Sequence, residues 1–149
     1  MRLQEFSRRT RLPAPAAVVF DWHATPGALE RLTPPWERVE VLEHTGGIRD
    51  GARVALAVHI GPFRFRWVLE HCDYRQGRSF RDVQISGPFR FWEHTHLVEP
   101  DGPTACYLED RIRYAVPCGS LADPFVRRRL ERTFAYRHRV TAQLVQEVE

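Results

Sequence analysis

The sequence predicts an α+β domain in which a curved antiparallel sheet of about seven strands holds one long C-terminal helix, with two short helices near the start. Three observations predict it. Apolar residues alternate with period two through the segments that follow residue 38, and Gly or Pro punctuates the connections. Those segments recur about every ten residues, too close for crossover helices, so neighbouring strands run antiparallel. After Pro124 the period changes, and apolar residues fall three or four apart.

Leu3 to Leu12 reads as a weak strand, with Phe6, Thr10 and Leu12 in one phase. Pro13-Ala14-Pro15 stops it and opens a short helix from Ala16 to His23, because proline is tolerated in a first helical turn. A second short helix runs from Gly27 to Leu32 and is ended by Pro34-Pro35. Val39, Val41 and Leu42 mark a strand entering Gly46-Gly47, which reads as a turn rather than a phosphate cradle. Val54, Leu56, Val58 and Ile60 alternate, Gly61-Pro62 turns the chain, and Phe63, Phe65, Trp67 and Leu69 alternate on the return. Three more strands follow, Ser79–Ser86, Phe89–Val98 and Ala105–Tyr114. The final helix is expected over Leu121 to Val148. Its apolar stripe is Val126, Leu130, Phe134, Arg137, Thr141, Leu144 and Val148. At 1.5 Å per residue its periodic part spans roughly 37 Å, enough to cross a sheet and cover its concave face.

The 149 residues make one domain, 1–149, and 43% hydrophobic with 28% charged residues is ordinary globular composition. All 22 basic residues are Arg, but the net charge is only +3. The start of the chain carries charges where a signal peptide needs an apolar core. The longest apolar stretch, Ala14–Phe20, contains Pro15 and is far below the ~20 residues of a membrane span. A cytoplasmic protein with no membrane span is expected. Cys72, Cys106 and Cys118 are odd in number and lack CxxC spacing, which argues against a disulfide framework or a thiolate zinc site. Neither a G-x-S-x-G elbow nor a phosphate loop occurs.

The candidate site lies on the three later strands. Residues two apart share a strand face, so one phase collects Phe80, Asp82 and Gln84, then Trp92, His94, His96 and Val98, then Leu108, Asp110, Ile112 and Tyr114. The alternate phase of the last strand, Glu109, Arg111 and Arg113, is a solvent face. Two His, two Asp and a Gln turned inward among aromatic rings point to a pocket with a polar floor, because unpartnered buried charge is costly.

The order of elements is the helix-grip arrangement, and particular residues match a family. Phe20-x-Trp22-His23-x-x-Pro26-Gly27-Ala28 with Arg31-Leu32-x-Pro34-Pro35-Trp36 resembles the opening of START-like (SRPBCC) proteins, the superfamily of the birch-pollen allergen and the polyketide cyclases. Phe80-x-Asp82-x-Gln84-x-x-Gly87-Pro88-Phe89 and Trp92-x-His94-x-His96 are similar to a bacterial cyclase/dehydrase-like subgroup. So are Leu108-x-Asp110, Tyr114-x-x-Pro117-x-Gly119 and Phe134-x-Tyr136-Arg137. The resemblance implies a cavity between sheet and long helix that holds a small hydrophobic or amphipathic molecule, such as a lipid or polyketide. It implies neither a metal nor another cofactor. It also implies a possible association with a sugar-nucleotide epimerase-like protein.

Each candidate carries a plainer reading beside the functional one. His94 and His96 lie close enough to share a zinc ion with Asp82 or Asp110, but His–Asp hydrogen bonding or ligand lining is the expected role. Asp110 is expected to pair with Arg137, either as a clamp between sheet and helix or with the guanidinium serving a ligand carbonyl or carboxylate. Trp22, Trp36, Trp67, Phe80, Trp92 and Phe134 are core packing by default, with one or two touching ligand. As catalytic groups, His94 or His96 with Asp110 could move a proton in a cyclase or dehydratase reaction. The outward Arg64, Arg66, Arg111 and Arg113, with Arg127-Arg128-Arg129, offer a third reading as a nucleic-acid or docking surface. Glu70, Glu93 and Glu109 on the same face favour a charge-balanced exterior without nucleic acid.

Overall fold

The structure is a computed structural model and describes residues 2–117 and 121–148. Cys118 and Gly119 of the sequence motifs lie outside the described residues. β1 (Gln4–Leu12) leads into α1 (Ala16–His23) and α2 (Ala28–Leu32), followed by β2 (Val39–Thr45), β3 (Arg53–Ile60) and β4 (Phe63–Arg75). β5 (Ser79–Ser86), β6 (Phe91–Pro100), β7 (Cys106–Ala115) and α3 (Asp123–Val148) complete the chain. The strands form one antiparallel sheet in the order β1-β7-β6-β5-β4-β3-β2. Consecutive strands β1 and β2 are therefore its two edges, and the segment holding α1 and α2 carries the chain from one edge to the other.

Local chemistry sets the element ends. α1 starts after Pro15, whose carbonyl accepts the Val19 N–H at 3.2 Å. Gly27, predicted inside the second helix, is its N-cap at φ 84°, a left-handed conformation that glycine adopts without a Cβ clash. In β2, Leu42 is the extra residue of a bulge between Val41 and Glu43 and is exposed. β6 begins at Phe91, not Phe89. The Gln84 amide takes the Phe89 carbonyl at 2.7 Å and the Phe89 N–H at 3.2 Å, which holds Phe89 in the turn.

α3 is anchored to β1, where Gln4 Nε2 donates to Asp123 Oδ2 at 3.1 Å and Arg127 donates to the Glu5 carbonyl at 2.9 Å. Its buried stripe is Leu130, Phe134, His138, Thr141 and Val145. Of the stripe expected from the sequence, Val126, Arg137 and Leu144 are half-buried, and Arg137 and Leu144 flank the buried line. A 3.6-residue period permits a step of either three or four after Phe134, and hydropathy alone favours neither.

The core has two apolar groups. One joins α1 and α2 to Phe80, Val98, Leu108 and Val145, and the other joins Phe6, Val54, Leu56, Trp92, Ile112 and Tyr114 to Leu130 and Phe134. β6 contributes Trp92 to one and Val98 to the other, so His94 and His96 lie at the seam between them. On the outer face, Arg53 pairs with Glu70, Arg113 with Glu93, and Arg9 and Arg111 with Glu109. All but Arg111–Glu109, which lies within β7, are cross-strand contacts, and such surface pairs each contribute little. No helix among the described residues is long and apolar enough to cross a membrane.

Candidate functional site

β-sheet register assembles the polar floor. Asp82 of β5 faces His94 of β6, and His96 faces Asp110 of β7. All four side chains are buried. His94 Nε2 donates to Asp110 Oδ1 at 2.7 Å, and its Nδ1 lies 3.6 Å from Asp82. His96 Nε2 donates to Asp82 Oδ2 at 2.9 Å, and its Nδ1 lies 3.3 Å from Asp110 Oδ1. The Trp92 indole N–H reaches the other oxygen of Asp82 at 3.3 Å.

The expected pairing of Asp110 with Arg137 is not formed. His138, one residue further along α3, takes that place and donates from Nε2 to Asp110 Oδ2 at 2.6 Å, while its Nδ1 meets the Thr10 hydroxyl at 2.7 Å. A chain of hydrogen bonds thus crosses from β1 through the helix to the sheet floor: Thr10, His138, Asp110, His94. The partner changes because residue 138 lies on the buried stripe and residue 137 on its flank.

The electrostatics follow from this wiring. Burial alone would push the Asp110 carboxyl up, but hydrogen bonds from His138, His94 and His96 outweigh it and hold Asp110 well below the usual carboxylate range. Asp82 is likewise held low: burial is outweighed by the charge of His94 and the hydrogen bond from His96. Burial would lower His96, yet hydrogen bonds to Asp110 and Asp82 raise it to about 9, so it is an imidazolium at neutral pH. Burial and the neighbouring His96 charge push His94 down. Two histidines 3.8 Å apart between ring centroids are therefore driven in opposite directions.

Beside this floor a cavity of about 430 Å³ opens between the sheet and α3. Val54, Leu56, Trp67, Leu69 and Trp92 line the sheet side, and Leu130, Phe134 and Arg137 the helix side. Phe80, Asp82, His94 and His96 also line it. Phe80 lies flat between two imidazoles, 4.1 Å from His96 and 5.7 Å from His71. Also on its wall, Glu37 forms an ion pair with Arg129 and accepts from the Thr133 hydroxyl, tying the segment before β2 to α3.

Of the candidate residues, Gln84, Asp110 and Tyr114 do not line the cavity. Gln84 is spent on the β5–β6 turn, Asp110 stands behind the two histidines, and Tyr114 is packed into the core 6.0 Å from Phe89. Trp36 is a surface residue, 45% exposed, with its ring against Tyr136 and Arg132. Three residues were missed. His71 continues the alternation of Trp67 and Leu69 onto the cavity wall, so simple extension of the phase would have found it. His138 was available as the residue four after Phe134 and three before Thr141. His23 ends α1, donates from Nδ1 to the Val19 carbonyl at 2.8 Å, and is pushed down to about 4 by burial.

Among the described residues, Asp82, His94 and His96 each bring a ligand atom within 4.8 Å of the others and could hold a metal ion. In this arrangement the Nε2 atoms of both histidines and both Asp82 oxygens are engaged in hydrogen bonds, whereas His94 Nδ1 stands 3.6 Å from Asp82. Chemically the floor can donate a proton from His96, accept hydrogen bonds at its carboxylates, and hold both states in fixed geometry.

A family profile described as "Polyketide cyclase / dehydrase and lipid transport" matches residues 12–137. The chain belongs to that family, within the START-like (SRPBCC) superfamily. Among solved structures, the Zhui aromatase/cyclase from Streptomyces sp. R1128 aligns at TM-score 0.78 and 16% identity, covering 97% of this chain and 94% of that one. A START superfamily protein from Mycobacterium smegmatis aligns at TM-score 0.74 and 15% identity, covering 97% and 99%. A nucleoside-diphosphate sugar epimerase from Corynebacterium glutamicum aligns at TM-score 0.73 and 23% identity, covering 93% of this chain but 28% of its own. At such identities the likeness is one of fold. No curated protein matches the chain by sequence.

Proposed function

We propose that the protein binds a small, largely apolar molecule non-covalently in the cavity between the sheet and α3. The observation that carries this reading is the cavity itself. Interiors normally pack to near-crystalline density, whereas here about 430 Å³ is left open between mainly apolar walls with a few convergent polar groups. The family to which the chain belongs, described for cyclases, dehydrases and lipid transport, supports it. The test uses the neutral probe N-phenyl-1-naphthylamine, whose emission rises on entering an apolar site. Wild type is expected to bind it saturably, and Leu56→Trp, which fills the cavity from β3, to lose binding while remaining folded. Unchanged binding by a folded Leu56→Trp would remove the cavity as the site.

One observation favours a second reading, an enzyme of the cyclase or dehydratase type. His96 is raised to about 9 and His94 is lowered, so an acid and a base stand together on the cavity floor. His96 would protonate a carbonyl oxygen of a polyketone chain while His94 accepts a proton from the adjacent carbon, with Asp110 orienting both. Turnover of a model polyketone that disappears in His96→Gln would support it. Association with a separate sugar-nucleotide epimerase-like protein is also proposed, supported by the aligned segment of the C. glutamicum epimerase. Co-elution of purified components tests it.

A further inference from the structure

We propose that the molecule held in the cavity is an organic acid, an apolar aryl or acyl body bearing a carboxylate, and that Arg137 binds that carboxylate. This rests on the reading of the cavity as a ligand site and names what the site selects.

The argument starts from the guanidinium. Arg137 lines the cavity from α3, and its Nε is shut off from solvent with no hydrogen-bond partner among the described residues. No side-chain hydrogen bond or ion pair of Arg137 is formed among those residues. Its guanidinium carbon lies 5.1 Å from the centre of the Phe134 ring, a surface that attracts a cation but offers no carboxylate oxygen. Arginine keeps its charge when withdrawn from water, so the half-buried Arg137 remains a cation on the cavity wall. Asp110, Asp82 and Glu37 act on it through space but none is hydrogen-bonded to it, and a cation partly withdrawn from water is best satisfied by a directly bonded anion.

The acids that could pair with it are otherwise engaged. Asp110 accepts from His94 and His138, Asp82 from His96 and Trp92, and Glu37 from Arg129 and Thr133. A second unpartnered polar atom belongs to the same cavity wall, the indole N–H of Trp67. Both orphans are donors. The ligand must therefore bring acceptors, and a carboxylate meets the planar fork of Arg with two parallel hydrogen bonds. Beyond the His–Asp floor the wall is mainly apolar, with Val54, Leu56, Leu69, Trp92 and Leu130, which favours an aryl or acyl body over a small polar acid.

The test is competition against N-phenyl-1-naphthylamine by two matched pairs, 2-naphthoate with 2-naphthamide and decanoate with decanamide. The readout is the acid-to-amide affinity ratio within each protein. In wild type, at least one acid should displace the probe at a concentration about 10- to 100-fold below its amide, the range expected for a hydrogen bond to a charged group. The pair with the larger ratio distinguishes an aromatic from an acyl source. Arg137→Gln should reduce the ratio to within about threefold, and Arg137→Lys, which keeps the charge without the fork, should retain part of it. Equal displacement by acid and amide in wild type overturns the proposal, with no variant needed. So does a folded Arg137→Gln that keeps the wild-type ratio. If neither the probe nor any competitor binds wild type by calorimetry, the cavity reading fails first and this inference falls with it.

Discussion

Replacing Asp110 by Asn tests how the sheet floor is joined to the helix. The change preserves size and removes one negative charge. Asp110 is 4% exposed and accepts hydrogen bonds from His94 at 2.7 Å and His138 at 2.6 Å, with His96 at 3.3 Å. An amide supplies one oxygen and one NH₂, so at least one imidazole N–H is left facing a donor, and the His96 imidazolium loses one of its two counter-ions. Breaking a buried pair of this kind costs about 3–5 kcal/mol, against a whole stability of about 5–15 kcal/mol for a domain. At roughly 2–4 °C per kcal/mol for a chain of this size, the melting temperature should fall by about 6–20 °C. Thermal and urea unfolding followed by circular dichroism measure it. The partner assignment is tested by a double-mutant cycle: Asp110→Asn with His138→Gln should show coupling above about 1 kcal/mol, and Asp110→Asn with Arg137→Gln, which interact only through space, should couple more weakly. A loss below about 1 kcal/mol for Asp110→Asn, or stronger coupling to Arg137 than to His138, would refute the reasoning.

Stability should peak near neutral pH. Asp82 and Asp110 are depressed, so their contribution is present above about pH 4 and lost as pH falls through their folded values. His23, lowered to about 4, contributes above about pH 6.5, and that contribution is lost as pH falls to 4. His96, raised to about 9, acts oppositely: its contribution is complete below about pH 6.5 and is lost as pH rises through 9, about 3 kcal/mol in all. Urea unfolding from pH 4 to 10 should therefore show an alkaline decline that His96→Gln abolishes, and an unchanged decline in that variant would contradict the assignment. Gly87→Ala should disturb the cavity wall, because a methyl there collides with the Trp67 ring and lies 2.7 Å from Gln84 Oε1. A cost of about 1–3 kcal/mol and a shift in tryptophan emission are expected.

Much of the molecule was legible in the chain. Alternation with period two, Gly/Pro punctuation and a terminal stretch of period 3.6 are local properties, and they determined the strands, the helices and the inward phase that carries Asp82, His94, His96 and Asp110. Antiparallel pairing followed from connections too short for anything else. What the sequence left open was decided where distant elements meet. Whether residue 137 or 138 faces the sheet depends on the rotation of α3, which hydropathy leaves free by one step. The fold selects the imidazole for the Asp110 carboxylate and turns Arg137 to the cavity. Gln84 looks like a ligand group by phase, yet its amide is consumed by the Phe89 backbone five residues on. The strand pattern had no means of anticipating a turn closed by a side chain. The open volume itself has no signature in any one segment, because it is the difference between the space that sheet and helix enclose and the side chains that fill it.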